Sequence, residues 1–120
     1  MMIKRKNYLL CKNVIFYSEL EIFGFFEWIK QIKSVVEVEE KDNDFYLYFK
    51  SKAISDEDFR TLIALFYRFK IDMKQLQQFI NQKNKKWLLD TPKGFWYYRM
   101  FGKIKPSDWI SYIDFNSKKI

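Results

Sequence analysis

The chain has 120 residues, 48% of them hydrophobic and 21% aromatic, with 22 Lys/Arg against 15 Asp/Glu and a formal net charge of +7. That is enough apolar material for one core of ordinary size, and too much for a disordered chain. Histidine is absent and cysteine occurs once, which removes His-based acid–base, nucleophilic and metal chemistry and any internal disulfide.

Tyr8–Cys11 and Val14–Tyr17 are short, β-rich stretches, and the setting of Cys11 between Leu10 and Lys12 suits a strand position facing the core. The single cysteine points to a reducing compartment, so the expected location is the cytoplasm. The basic start, Lys4 to Lys6, is followed by a stretch broken at Lys12 and Asn13 rather than by a clean apolar run, and a secretory signal is not expected. No apolar segment approaches the roughly 20 residues that span a bilayer, so a soluble protein with no membrane partner is expected.

Ser18 followed by Glu21 is a capping box that starts a helix reaching about Lys33, with Ile22, Phe25, Phe26, Ile29 and Ile32 as its apolar stripe. Ser34–Glu40 then alternates Val36 and Val38 with Glu37 and Glu39, and Phe45–Lys50 alternates Phe45, Leu47 and Phe49 with Tyr46 and Tyr48, the period of a pleated strand. Lys41-Asp42-Asn43-Asp44 between them is turn chemistry and predicts a hairpin.

Ser55 ahead of Asp56, Glu57 and Asp58 predicts a second helix, with the three acids at the positive end of its macrodipole and Phe59, Leu62, Ile63, Phe66 and Phe69 as its buried stripe. Ile71-Asp72-Met73 predicts another helix start, running through Leu76, Phe79 and Ile80 to about Gln82. Beyond it, Asp90 to Gly94 is a turn signal, and the flanking Trp87–Leu89 and Phe95–Met100 read equally as a hairpin or as two short segments folded over the core. The tail from about residue 103 is expected to be less ordered, with a short helix or strand near Trp109–Phe115.

The order strand, helix, strand, strand, helix, helix predicts a single α+β domain over residues 1–120, a small antiparallel sheet with helices packed on one face. Its charges are sorted along the chain. Residues 1–36 sum to +3, residues 37–58 to −5 and residues 59–120 to +9. Such sorting concerns partners and association rates rather than fold.

Two surfaces are candidates. Glu37, Glu39, Asp42 and Asp44 form an acidic hairpin suited to a basic protein partner. Lys85, Lys86, Tyr97, Tyr98 and Arg99, with Trp87 and Trp96 nearby, suit either an acidic protein or single-stranded nucleic acid held by phosphate contacts and base stacking. The bland alternatives are a solvated charge run for the first and rings that seal the core for the second. Asp42 and Asp44 lack the further oxygen ligands of a calcium loop, and the three glycines lie too far apart for a phosphate loop. No cofactor, metal or catalytic residue is therefore expected.

The stretch from Ile54 to Gly102, with Ile54-Ser55-Asp56-Glu57, then Leu62 to Leu76, then Lys86-Trp87 and Phe95-Trp96 through Phe101-Gly102, resembles small cytoplasmic immunity proteins of bacterial toxin systems, particularly contact-dependent growth inhibition. The likeness is one of texture and order over less than half of the chain, and it carries no individual binding residue across. It implies a non-catalytic protein that binds and neutralises a cognate toxin domain. One departure stands out: partners of basic nuclease toxins in this group are usually acidic, whereas this chain is +7. Either the acidic hairpin alone meets the toxin or the toxin is itself acidic. A basic nucleic-acid-binding protein using the Lys/aromatic segment is the alternative, and the oligomeric state is left open by the sequence.

Overall fold

A computed structural model describes residues 7–89 and 96–101. Three antiparallel strands, β1 (Tyr8–Cys11), β2 (Val35–Lys41) and β3 (Asp44–Phe49), form a sheet in the order β1-β3-β2. Helix α1 (Glu19–Lys30) connects β1 to β2, and α2 (Asp56–Arg68) follows β3. A 3-10 segment (Lys74–Phe79) and two short helices, α3 (Lys85–Leu89) and α4 (Tyr97–Phe101), complete the described chain. The architecture is α+β, with helices on one face of the sheet.

Local chemistry sets most boundaries. The Ser18 hydroxyl accepts from the Glu21 N–H at 3.3 Å, and the Glu21 carboxylate reaches back to the Tyr17 N–H. The Ser55 hydroxyl accepts from the Asp58 N–H at 3.1 Å and opens α2. That helix ends in a Schellman arrangement: Lys70 takes φ 56°, its N–H reaches Tyr67 O and the Ile71 N–H reaches Phe66 O at 2.9 Å. The reversal sends Ile71 and Met73 into the core.

The hairpin turn is tight. Asp42 and Asn43 hold φ 55° and 70°, the left-handed pair of a type I′ turn, which suits the right-handed twist of β2 and β3. Phe45, Leu47 and Phe49 of β3 are buried together with Leu9 and Cys11 of β1. Phe25 of α1 meets Phe45 with ring centroids 5.5 Å apart, and Phe79 meets Phe49 at 4.9 Å. Phe59, Leu62, Ile63, Leu65 and Phe66 make α2 the most deeply buried helix.

Several expectations need correction. Of the two stretches before α1 only Tyr8–Cys11 forms a strand; residues 14–17 have no regular structure and do not join the sheet, following Asn13, which turns the chain at φ 56°. Helix α1 stops at Lys30, and Ile22 at its start is exposed, since the helix buries Phe25 and Ile29 instead, with Ile32 buried just past its end. Val36 does not face the core: a bulge between Val35 and Glu37 breaks the alternation and leaves it 62% exposed. The expected helix from Ile71 to Gln82 is a shorter 3-10 segment in which the Asp72 side chain caps the Lys74 N–H at 3.0 Å. Of the two readings of residues 87–100, the described residues bear out two short segments, both helical. The expected turn at Asp90–Gly94 and the tail from residue 103 lie outside the described residues.

Two outcomes follow from this packing. Phe66 is fully buried, so Phe66→Ala is expected to cost about 3–5 kcal/mol in urea unfolding. Burial pushes the Cys11 thiol up from 9.0 to about 12. The unfolded chain releases this proton near 9 while the folded chain keeps it, so the contribution of Cys11 is intact below pH 9 and is lost as pH rises towards 12. Denaturation midpoints taken across that window should fall more steeply for the parent chain than for Cys11→Ala.

Candidate protein-binding face

The alternation that buries one side of β3 turns Tyr46 and Tyr48 to the other. Register places Tyr8 opposite Tyr48, and Glu37 and Glu39 opposite Tyr48 and Tyr46. The three tyrosines therefore gather: Tyr8 lies 5.6 Å from Tyr46 and 6.2 Å from Tyr48, and Tyr46 and Tyr48 stack at 6.2 Å with 13° between planes. The Tyr48 hydroxyl donates to the Glu39 carboxylate at 2.7 Å. Glu37 and Glu39 are exposed, Tyr8 is exposed and Tyr46 and Tyr48 are half-buried.

This face joins rigid rings, which lose little entropy on binding, to carboxylates that can meet cations. It has the make-up of a protein-recognition surface. Tyr8 was not visible as a member from sequence, because only the β1–β3 pairing brings it beside the hairpin; the one signal was its alternation with the apolar Leu9 and Cys11.

The two turn acids separate. Asp42 is exposed in the type I′ turn, whereas the Asp44 carboxylate accepts from the Asn13 N–H at 3.1 Å and ties the hairpin to the loop after β1. Asp58 departs further from a simple helix-start acid. It is buried, and its carboxylate accepts from the Ser34 N–H at 2.8 Å and from the Ser34 hydroxyl, fastening the entrance of β2 to α2.

The basic aromatic group is arranged differently. Lys85 and Lys86 are exposed on α3. Trp87 packs against Phe59 at 5.8 Å and against the buried Trp96 at 6.2 Å, and the Arg60 guanidinium lies 4.0 Å over its ring. Tyr97 leans on Trp96 and Phe101. Arg99 sits 4.4 Å over the Tyr67 ring and donates to Tyr67 O at 3.4 Å. Of Tyr97, Tyr98 and Arg99, the arginine and Tyr98 are exposed, and the Tyr97 ring is spent largely on packing. Within this basic group the described residues form no row of open rings on which successive bases could stack.

A second exposed apolar group escaped the sequence reading. Ile15, Tyr17, Leu20 and Phe23 are between 64% and 82% exposed, on the outer side of the loop before α1 and of its first two turns. Because α1 is apolar nearly all round, the stripe through Phe25, Phe26 and Ile29 was legible but the exposed apolar side opposite it was not.

Among the described residues no three Cys, Asp or Glu side chains converge as a metal site, and no helix is long and apolar enough to cross a membrane. No protein-family model, curated protein or solved structure shows significant similarity to the chain.

The two turn acids should respond differently to loss of charge. Asp42→Asn keeps a residue suited to the left-handed turn and is expected to leave stability unchanged, while Asp44→Lys loses the tie to Asn13 at a cost of about 1 kcal/mol. Urea unfolding of the two variants measures the contrast.

Proposed function

We propose that this chain is a non-catalytic immunity protein that binds and neutralises the toxin domain of a contact-dependent growth inhibition system, and that it meets the toxin with the outer face of its sheet. The observation that carries the reading is the outward-facing Tyr8–Tyr46–Tyr48 cluster flanked by Glu37 and Glu39. The family likeness of residues 54–102 supplies the kind of partner.

The face resolves the tension posed by a net charge of +7. A basic toxin would be repelled by the molecule at long range but attracted locally, where carboxylates are concentrated and rings exclude water around them. Binding of this type is fast only in moderate salt, where the distant basic regions are screened and the close acidic contacts are not. The nucleic-acid reading keeps its cations, Lys85 and Lys86, but has lost much of its stacking platform to the core.

Co-expression with the polypeptide encoded immediately upstream tests the proposal. Restored growth and a stable one-to-one complex are expected. The double variant Glu37→Lys, Glu39→Lys loses the Tyr48–Glu39 hydrogen bond at a cost of about 1 kcal/mol and should stay folded, because both carboxylates are exposed, yet lose co-purification and protection. Protection retained by that variant, with loss on reversing Lys85 and Lys86, would move the site to α3. A harmless neighbour that does not co-purify would remove the reading.

A further inference from the structure

The two edges of the sheet are not equivalent. On β1, the Gln75 side-chain amide takes both backbone groups of Leu10: the Leu10 N–H donates to Gln75 Oε1 at 2.7 Å, and Gln75 Nε2 donates to Leu10 O at 2.8 Å. Gln78 adds a bond to Tyr8 O at 3.4 Å. A side-chain amide has the same donor–acceptor pair as a peptide, so these glutamines fill the place of a further strand. On β2, the other edge, residues 36–41 are exposed.

The ladder identifies which groups that edge presents. The Phe49 N–H donates to Asn7 O at 2.8 Å, which makes Tyr8 and Tyr48 a non-hydrogen-bonded pair and points the backbone groups of Tyr48 and Tyr46 towards β2. Their partners Glu37 and Glu39 are then bonded inward, and the N–H and C=O of Val38 and Glu40 point out of the sheet. The two-residue turn flanked by Lys41 and Asp44 demands the same phase.

Side chains around this edge are also sorted. Glu37 and Glu39 lie on the outer, tyrosine face. On the opposite face Val38 is 37% exposed, and Glu40, two residues on, borders a groove of about 430 Å³ lined also by Val14, Ile22, Phe26, Phe45 and Asn43. An added strand would thus have acids beside one of its faces and an apolar groove beside the other.

We infer that the edge of β2, beyond which no other described strand lies, receives an extended segment of the partner in which cationic and apolar residues alternate, the cations over Glu37 and Glu39 and the apolar side chains towards the groove. This rests on the partner-binding part of the reading above and specifies how the partner is held. Strand addition supplies affinity through the Val38 and Glu40 backbone groups, and the alternation supplies specificity. A second copy of this chain is a poor occupant: pairing β2 with β2 about Val38 sets glutamates against glutamates, which destabilises cross-strand pairs. The same charges keep the edge from indiscriminate pairing.

The test uses a soluble peptide of about eight residues, the span of a typical strand, alternating lysine and valine, and a control of the same composition with the two residue types in separate blocks. Amide hydrogen exchange of the intact chain is followed by NMR. Without peptide, the Val38 and Glu40 amides should exchange rapidly and those of Glu37 and Glu39 slowly; the alternating peptide should slow the first pair about tenfold or more and the control should not. Val38→Pro removes one outward N–H and no ladder bond, so it should abolish peptide binding; the exchange pattern of the parent chain decides the matter if that variant folds poorly. Equal binding of both peptides without protection of the two amides means attraction of charge alone and overturns the proposal. A concentration-dependent dimer that protects the same amides assigns the edge to a second copy and overturns it too. A protective toxin complex whose Val38 and Glu40 amides stay fast sinks the strand addition and leaves the immunity reading standing, whereas selective peptide binding by a chain that rescues no growth does the reverse.

Discussion

The position of β3 between β1 and β2 is the constraint on which the rest of the structure depends. Its six residues must satisfy backbone groups on both sides while burying Phe45, Leu47 and Phe49 beneath the helices. Once those three side chains face inward, Tyr46 and Tyr48 can only face outward, since strand side chains alternate. A slip of one residue would put two hydroxyl-bearing rings into the core and three apolar residues into water. The type I′ turn at Asp42 and Asn43 and the Asp58–Ser34 link hold the register from its two ends. The tyrosine face is thus the unavoidable reverse side of the core, and its composition is tied to the same alternation that makes the fold stable.

The polar side chains divide between internal ties and exposed surface. Asp58, Asp44, Gln75 and Gln78 all bond backbone groups on other elements and so position the sheet. Glu37, Glu39 and Asp42 remain exposed. A single acidic belt in the sequence therefore splits into buried or bonded ties and surface charges. The basic half divides in the same manner: Arg60 and Arg99 lie over the Trp87 and Tyr67 rings, while Lys85 and Lys86 face solvent. Guanidinium groups suit ring faces because they are planar and weakly hydrated, whereas ammonium groups favour water. The basic surface is consequently less extensive than a count of cations suggests, which favours the acidic face in the reading of function.

Much of the fold was legible in the chain because its determinants are local. Ser18 with Glu21, Ser55 with Asp58, and Asp42-Asn43 act within four residues, and each appears where its side-chain chemistry requires. The strictly alternating β3 and the amphipathic α2 were equally plain, since a single period separates their buried and exposed sides. Legibility failed where that single period was missing. Helix α1 is apolar on nearly every side, so Ile22 looked as buried as Phe25, and Val36 and Val38 both looked buried although the bulge turns the first to solvent and the second, on the edge strand, is 37% exposed.

By itself, the sequence determined an α+β chain with one antiparallel hairpin, two capped helices, an acidic segment between basic ones, and no histidine for chemistry. Tertiary structure alone decided that β3 is central, that Tyr8 joins the hairpin tyrosines, that glutamines close one edge and that the other is exposed. The difference is one of range. Caps, turns and alternation are satisfied by neighbours along the chain, whereas Tyr8 and Tyr46, or Leu10 and Gln75, meet only after the intervening residues have folded, and no pattern within either segment encodes the encounter.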